Sequence, residues 1–225
     1  MNTTETIQNI DASALFRSAY ENRYTWDANF PGFTAVAHSV QNDLVYQADV
    51  HVASDLKITI TNANSSEAEA AIRNQISEIV IHRVRRRFED VHGKNVFTCG
   101  DRDASGVVTV LVDGAAAGDQ YKVHNNIVSM VHRHIHGTVV TINVLSTLDT
   151  GKGYLPVNYE SFYSHPETGE PSSPTQQHHD EYALFGEHYI LTLRRVMTGD
   201  SCHEAQTQEF QLTEISLLEH NPSNS

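Results

Sequence analysis

The sequence predicts an α+β fold in which one strongly curved antiparallel sheet is closed by an N-terminal helix and one long helix. Three observations support this fold: many runs that alternate apolar and polar residues, one long stretch with apolar residues every three or four positions, and turn residues between the runs. About ten or eleven strands are expected, and a sheet of that size has to curl, here into a half-barrel. We expect a single domain over residues 1–225, with residues 1–10 and 220–225 frayed.

The first helix is predicted just before an aromatic corner of the chain. Asp11 or Ser13 can cap it, and apolar residues follow at helical spacing: Leu15, Phe16, Ala19 and Tyr20. The segment Phe30-Pro31-Gly32 ends this region, because proline holds the preceding residue extended and glycine allows a turn. A first strand over Phe33–Val40 follows.

The long helix is predicted from Glu67 to about Glu89. Its apolar stripe should be buried against the sheet and consists of Ile72, Ile76, Ile79, Val80, Val84 and Phe88. Ser65 or Ser66 supplies the N-cap, and arginines near the end suit the helix dipole. The basic run over residues 82–88 therefore has two interpretations: a favourable helix end, or a site for an anion or a partner.

Charge and composition restrict the function. The chain has 28 acidic and 15 basic residues and a net charge of −13, which argues against a nucleic-acid partner and against docking on an anionic membrane by charge alone. Cys99 and Cys202 lack the spacing of a metal or redox motif and are predicted to be reduced thiols. The N-terminal stretch does not resemble a signal peptide, and no apolar run is long enough for a transmembrane segment, so a cytoplasmic protein is expected.

Three segments carry a resemblance to a known family: LFRSAYENRYTWDANFPGFTA (15–35), LDTGKGYLPVNYESFYSHPETGE (148–170) and YALFGEHYILTLRRV (182–196). They resemble an uncharacterised cyanobacterial and plastid family, known as a domain of unknown function, over nearly the whole chain. The order of elements is more loosely similar to the lipoprotein-carrier half-barrel of LolA and LolB, which holds lipid chains between a curved sheet and a helical lid. Those carriers are exported with signal peptides, so the resemblance implies only an apolar pocket.

The aromatic corner is the predicted ligand-binding site and consists of Tyr20, Tyr24, Trp26, Phe30 and Phe33. These side chains either line a pocket or fill the core that closes one end of the sheet, since aromatic residues bury large areas in both cases. Arg23 and Asp27 lie in the same corner and can form an ion pair.

Alternating histidines suggest a metal site. In an extended strand, His132, His134 and His136 project from one face, which is the arrangement in which a strand presents imidazoles to zinc or iron. The same alternation is typical of any half-buried strand with a polar face. The sequence HHDE at residues 178–181 is interpreted as an exposed strand start, and Cys202-His203-Glu204 as a hairpin tip.

No recognisable catalytic motif occurs in the sequence: it contains no GxSxG, no GxxxxGK[ST], no HExxH and no GxGxxG after a strand. The sequence therefore favours a non-enzymatic protein that binds a lipid or pigment-like ligand in an apolar pocket. Two alternatives stay open: a protein-interaction or assembly factor, and a metal-dependent enzyme built on the three histidines. No cofactor is required, although zinc or iron would suit the histidines.

Overall fold

A computed structural model describes residues 11–135, 137–199 and 206–219. The elements in chain order are α1 (Ala12–Glu21), β1 (Gly32–Gln41), β2 (Leu44–Ala53), β3 (Ile58–Thr61), α2 (Ser66–Arg83), α3 (Phe88–His92), β4 (Asn95–Arg102), β5 (Val108–Gly114), β6 (Gln120–His124), β7 (Ile127–Ile135), β8 (Thr138–Asp149), β9 (Tyr154–Ser164), β10 (Gln176–Phe185), β11 (His188–Thr198) and β12 (Gln206–Leu217). The strands form one antiparallel sheet in the order β3-β2-β1-β12-β11-β10-β9-β8-β7-β6-β5-β4.

The predicted curved antiparallel sheet is confirmed, and its strand count and its closure by helices match the expectation approximately. Within the described residues the sheet has twelve strands, where about ten or eleven were expected. It is also not closed, since β3 and β4 remain its two edges. The helices pack on opposite ends of the sheet: α2 lies against β1, β2 and β3, and α1 lies against β4, β6 and β7.

Shifts in register between neighbouring strands bend the sheet. They occur in the β1–β12, β4–β5, β6–β7, β8–β9 and β10–β11 pairs. A bulge adds a residue to one strand of a pair, which bends that strand and increases its twist. The bulge between Glu181 and Tyr182 also changes which residues face each other across the β10–β11 hairpin.

Two buried clusters occupy the face that carries the helices, which we call the inner face. The cluster under α2 joins its isoleucines to β1, β2, β11 and β12 and to the aromatic corner. The cluster under α1 joins Phe16 and Tyr20 to Phe88 and to β5, β6 and β7. The amphipathic stripe predicted for the long helix is thus buried at Ile72 and Ile76, which are both fully inaccessible.

The predicted long helix ends earlier than expected. The helix α2 stops at Arg83, Val84 has an extended backbone, and Phe88 begins the separate helix α3. The backbone N–H of Trp26 donates to the carbonyl of Arg83 at 2.9 Å, so the helix end is bonded to the corner of the chain. Phe88 turns back and packs edge-on against Phe16, with ring centroids 5.9 Å apart. The interpretation of the arginine run as a helix end is therefore wrong for residues 85–87, which lie in the link between the two helices.

An aromatic cluster under α1 encloses one histidine. His92 is 5% exposed, and its ring centroid lies 4.9 Å from that of Tyr20 and 5.1 Å from that of Phe16. Burial, and then the charges of Arg133 and Arg23, lower the pKa of His92 from 6.5 to about 4. The imidazole is therefore neutral in the folded protein at pH 7.

Lowering the pH from 7.5 to 5 is expected to destabilise the protein. Because the pKa of His92 is lower in the folded than in the unfolded state, stability is complete above pH 6.5 and is lost as the pH falls towards 4. At pH 5 the loss from this one group is about 2 kcal/mol. Urea unfolding at a series of pH values measures this loss in the free energy of unfolding.

In the variant His92→Phe, the free energy of unfolding should depend less on pH, because phenylalanine fits among aromatic rings and does not titrate. Some dependence should remain, because the pKa of half-buried His178 is also lowered to about 4 by burial. The exposed His51 on β2 provides the control, and His51→Phe should leave the pH profile unchanged. Identical profiles for His92→Phe and the unmodified protein would contradict the assignment.

Candidate functional site

A cleft of about 710 Å³ opens between the end of α1, the aromatic corner and the link between α2 and α3. We call it the arginine cleft. Its lining consists of Arg17, Tyr20, Glu21, Arg23, Thr25, Trp26, Asp27, Ala28, Arg85, Arg86, Arg87 and Glu89. Its volume falls in the range of small-molecule binding sites in proteins.

The corner that forms one wall of the cleft is fixed by hydrogen bonds to distant strands. The backbone N–H of Tyr24 donates to the carbonyl of Tyr154 at 2.9 Å, and the N–H of Tyr154 donates to the carbonyl of Asn22 at 3.0 Å. Gly153 allows this approach: its φ is +127°, and an added Cβ would lie 2.5 Å from the carbonyl oxygen of Asn22. The indole N–H of Trp26 donates to the carbonyl of Tyr189 at 3.0 Å. The corner is thus a rigid wall.

Two of the five arginines of the cleft are held in place by the protein. Arg17 bonds Glu21 at 2.9 Å and Glu89 at 2.7 Å. The pKa of Glu89 is lowered, first by a hydrogen bond from its backbone N–H and then by the charge of Arg17. Arg23 was expected to pair with Asp27, but its guanidinium lies 3.9 Å from the centre of the Tyr20 ring and donates to the carbonyl of Tyr20.

The other three arginines line the cleft without a hydrogen bond or ion pair to any residue that the structure describes. Arg85, Arg86 and Arg87 are exposed, and within the part of the chain that the structure describes their guanidinium groups make no hydrogen bond and no ion pair. Arginine forms planar, bidentate contacts with carboxylates and phosphates. The link is therefore suited to holding an oxyanion.

The five predicted ligand-binding aromatics are all buried, and the structure divides them between the two clusters. Tyr20, a residue of α1, belongs to the cluster under that helix. The other four lie under α2, where Trp26 stacks on Phe30 with ring centroids 4.0 Å apart. Tyr20 and Trp26 line the arginine cleft, whereas Tyr24, Phe30 and Phe33 do not.

Two of the three predicted metal-binding histidines are described. The rings of His132 and His134 lie 5.8 Å apart on one strand; His132 bonds Thr141, and His134 lies 3.4 Å from Asp119. Among residues 11–135, 137–199 and 206–219, no three histidine, cysteine, aspartate or glutamate side chains are grouped so that they could hold a metal ion. His136 lies outside these ranges, as do Cys202 and the two residues after it, so the three-histidine site stays a prediction.

The HHDE segment differs from its interpretation as an exposed strand start, because Asp180 is only 1% exposed. Arg194 forms a bidentate ion pair with it, with both N–O distances at 2.8 Å. The hydroxyls of Tyr159 and Tyr182 lie 3.3 and 3.1 Å from the same carboxylate. Burial raises the pKa of both tyrosines. Burial would lower the pKa of Arg194, but the hydrogen bonds and charge of Asp180 raise it.

The buried ion pair is connected to the cleft wall through Arg83. Its guanidinium donates to the hydroxyl of Tyr182 at 3.2 Å, and its carbonyl accepts the N–H of Trp26. His178 stacks on Tyr159 beside this group, and its Nε2 lies 3.1 Å from the hydroxyl of Ser161, which is 4% exposed. No sequence motif marks this group. The available signal was the opposite charge of Asp180 and Arg194, which are 14 residues apart.

Comparison with known families assigns the chain. A family model described as "Protein of unknown function (DUF3386)" matches residues 7–218. The chain belongs to the DUF3386 family. This confirms the predicted membership of an uncharacterised family, and the match includes the arginine cleft and the buried ion pair. A search among curated proteins found no match to this DUF3386 chain. No helix in the described ranges has both the length and the apolar character needed to cross a bilayer.

Replacing Arg194 with glutamine is expected to destabilise the protein by roughly 3–5 kcal/mol, because the substitution leaves the carboxylate of Asp180 buried without its counter-charge. The neighbouring Arg195 is the matched control. It pairs with Glu209 at 2.7 Å but is half exposed, so Arg195→Gln should cost at most about 1 kcal/mol. Urea unfolding of the two variants measures the difference. Equal losses would contradict a structural role specific to the buried pair.

Proposed function

We propose that this protein binds an anionic amphiphile, a lipid or pigment-like molecule with an acidic group, in the arginine cleft. The observation that carries the proposal is the group Arg85–Arg87, three consecutive exposed arginines that line the cleft without a partner among the described residues. Tyr20 and Trp26 are aromatic residues of the same lining, with exposed fractions of 8% and 4%. The acidic group would bind the guanidinium groups, and the apolar part would contact the aromatic wall.

The proposal changes the apolar pocket expected from the sequence in one respect. The aromatic corner packs against itself and against α2, so most of its surface serves the core. What it contributes to the cleft is a fixed wall formed by Tyr20 and Trp26. The charge of the ligand therefore contributes to recognition together with its apolar area.

Two other interpretations of the sequence remain predictions. The edge strand β4 is exposed over most of Asn95–Arg102 and offers a protein partner unpaired backbone groups. His132 and His134 lie on one strand with ring centroids 5.8 Å apart, and the metal-dependent enzyme stays a prediction.

Trp26 provides a direct measurement of binding, because it is the only tryptophan in the chain and it lines the cleft. Titration with decanoate below its micelle concentration should change the tryptophan fluorescence in a saturable way. Decanol, which has the same chain length and no charge, should bind at least tenfold more weakly, since a hydrogen bond to a charged group contributes about 1.5–3 kcal/mol.

The variant Arg86→Gln should weaken decanoate binding by about tenfold for the same reason. Arg102→Gln is the matched control, because Arg102 is an exposed arginine on β4 outside the cleft lining, and its affinity should equal that of the unmodified protein. The proposal fails if decanoate leaves the fluorescence unchanged, or if both variants bind it equally well.

A further inference from the structure

The charge of the arginine cleft indicates what kind of anion it takes, an inference that rests on the proposed function. Five arginines and three carboxylates line the cleft, which leaves an excess of two positive charges. The whole chain has a net charge of −13, so this excess is confined to one place. A dianion would neutralise it, whereas a single carboxylate would leave one positive charge unbalanced.

The excess is concentrated at the link between α2 and α3. Two of the three carboxylates, those of Glu21 and Glu89, bind Arg17. The third, that of Asp27, accepts the backbone N–H of Asn29 at 2.8 Å. Within the described ranges, none of the three forms an ion pair with Arg85–Arg87. The three guanidinium groups of the link are therefore available to a ligand.

Three arginines that line one cleft suit an anion with several oxygens. Residues 85–87 have no regular secondary structure, and all three still line the same cleft. A phosphomonoester has three terminal oxygens and a charge of about −1.5 to −2 at pH 7, so several guanidinium groups can bind it at once. A carboxylate has two oxygens and one charge, and it satisfies fewer donors.

The fixed wall of the cleft favours an apolar body next to the phosphate. The guanidinium of Arg23 lies over the ring of Tyr20 and donates to the Tyr20 carbonyl, and Trp26 is anchored through its indole N–H. These side chains need little reordering when a ligand binds, which reduces the entropic cost of binding.

We propose that the ligand of the arginine cleft carries a phosphomonoester dianion, bound by Arg85, Arg86 and Arg87, attached to an apolar body. A lipid with a phosphomonoester headgroup and a water-soluble phosphorylated metabolite present the same phosphate group. They differ in the apolar body, and this difference separates the two sources.

Three probes test the proposal by isothermal titration calorimetry on the full chain: decyl phosphate, decyl sulfate and glycerol 3-phosphate. Decyl sulfate has the same chain and the same tetrahedral shape as decyl phosphate but only one charge. At pH 7.5, decyl phosphate should bind about tenfold more tightly than decyl sulfate, since a single charge-assisted hydrogen bond accounts for such a ratio. Glycerol 3-phosphate should bind more weakly than decyl phosphate because it lacks the apolar body.

Lowering the pH to 5.5 should reduce the affinity for decyl phosphate about fourfold, because the second pKa of a phosphomonoester is near 6. The affinity for decyl sulfate should stay constant, since no histidine is among the described residues that line the cleft. Circular dichroism at both pH values checks that the protein remains folded. Arg86→Gln should reduce the preference for phosphate over sulfate, and Arg102→Gln should retain it.

Each other outcome identifies which proposal fails. Equal affinities for decyl phosphate and decyl sulfate would overturn the phosphomonoester and leave the anionic amphiphile intact. Equal affinities for glycerol 3-phosphate and decyl phosphate would support the phosphomonoester, assign it to a water-soluble metabolite and overturn the apolar body. If none of the probes binds, both proposals are wrong.

Discussion

The hydrogen bonds of the corner from Asn22 to Trp26 hold the different parts of this protein together. They join the end of α1 to the start of β9, the end of α2 to the corner itself, and the indole of Trp26 to β11. All are made by groups that are buried or nearly so, and a buried polar group without a partner is costly. The two helices are therefore fixed relative to the sheet, and the cleft between them has one rigid wall.

A second constraint acts on the β10–β11 hairpin of the sheet: the ion pair between Asp180 and Arg194. Removing two charges from water costs several kcal/mol, which their attraction offsets only with good geometry and further hydrogen bonds. Both conditions are met here, by the bidentate contact and by the hydroxyls of Tyr159 and Tyr182. A one-residue slip of β10 would turn Asp180 to the other face and separate it from Arg194. The pair thus selects the register of the β10–β11 hairpin.

The arginine cleft is a local region of positive charge on an acidic protein. Arg17 is neutralised by two glutamates, whereas the arginines of the link are not. The link is extended because α2 ends at the corner and Phe88 is drawn into the cluster under α1. The packing that buries Phe88 therefore also brings three neighbouring guanidinium groups to the same cleft, and the stability of the core and the proposed recognition site have one common cause.

The sequence by itself determined the features that depend on local pattern. Alternation of apolar and polar residues predicted β1 to within one residue at each end, and the stripe from Ile72 to Val80 predicted which face of α2 is buried. Only the tertiary structure decided three other features: the end of α2 at Arg83, the division of the aromatic corner between two clusters, and the contact of Asp180 with Arg194. The first depends on a hydrogen bond from Trp26, 57 positions away by residue number. The last depends on a bulge that shifts the hairpin by one residue. Local periodicity contains no information about these two features. The end of α2 depends on a contact between residues that are distant in the chain, and the contact of Asp180 with Arg194 depends on a bulge in the sheet.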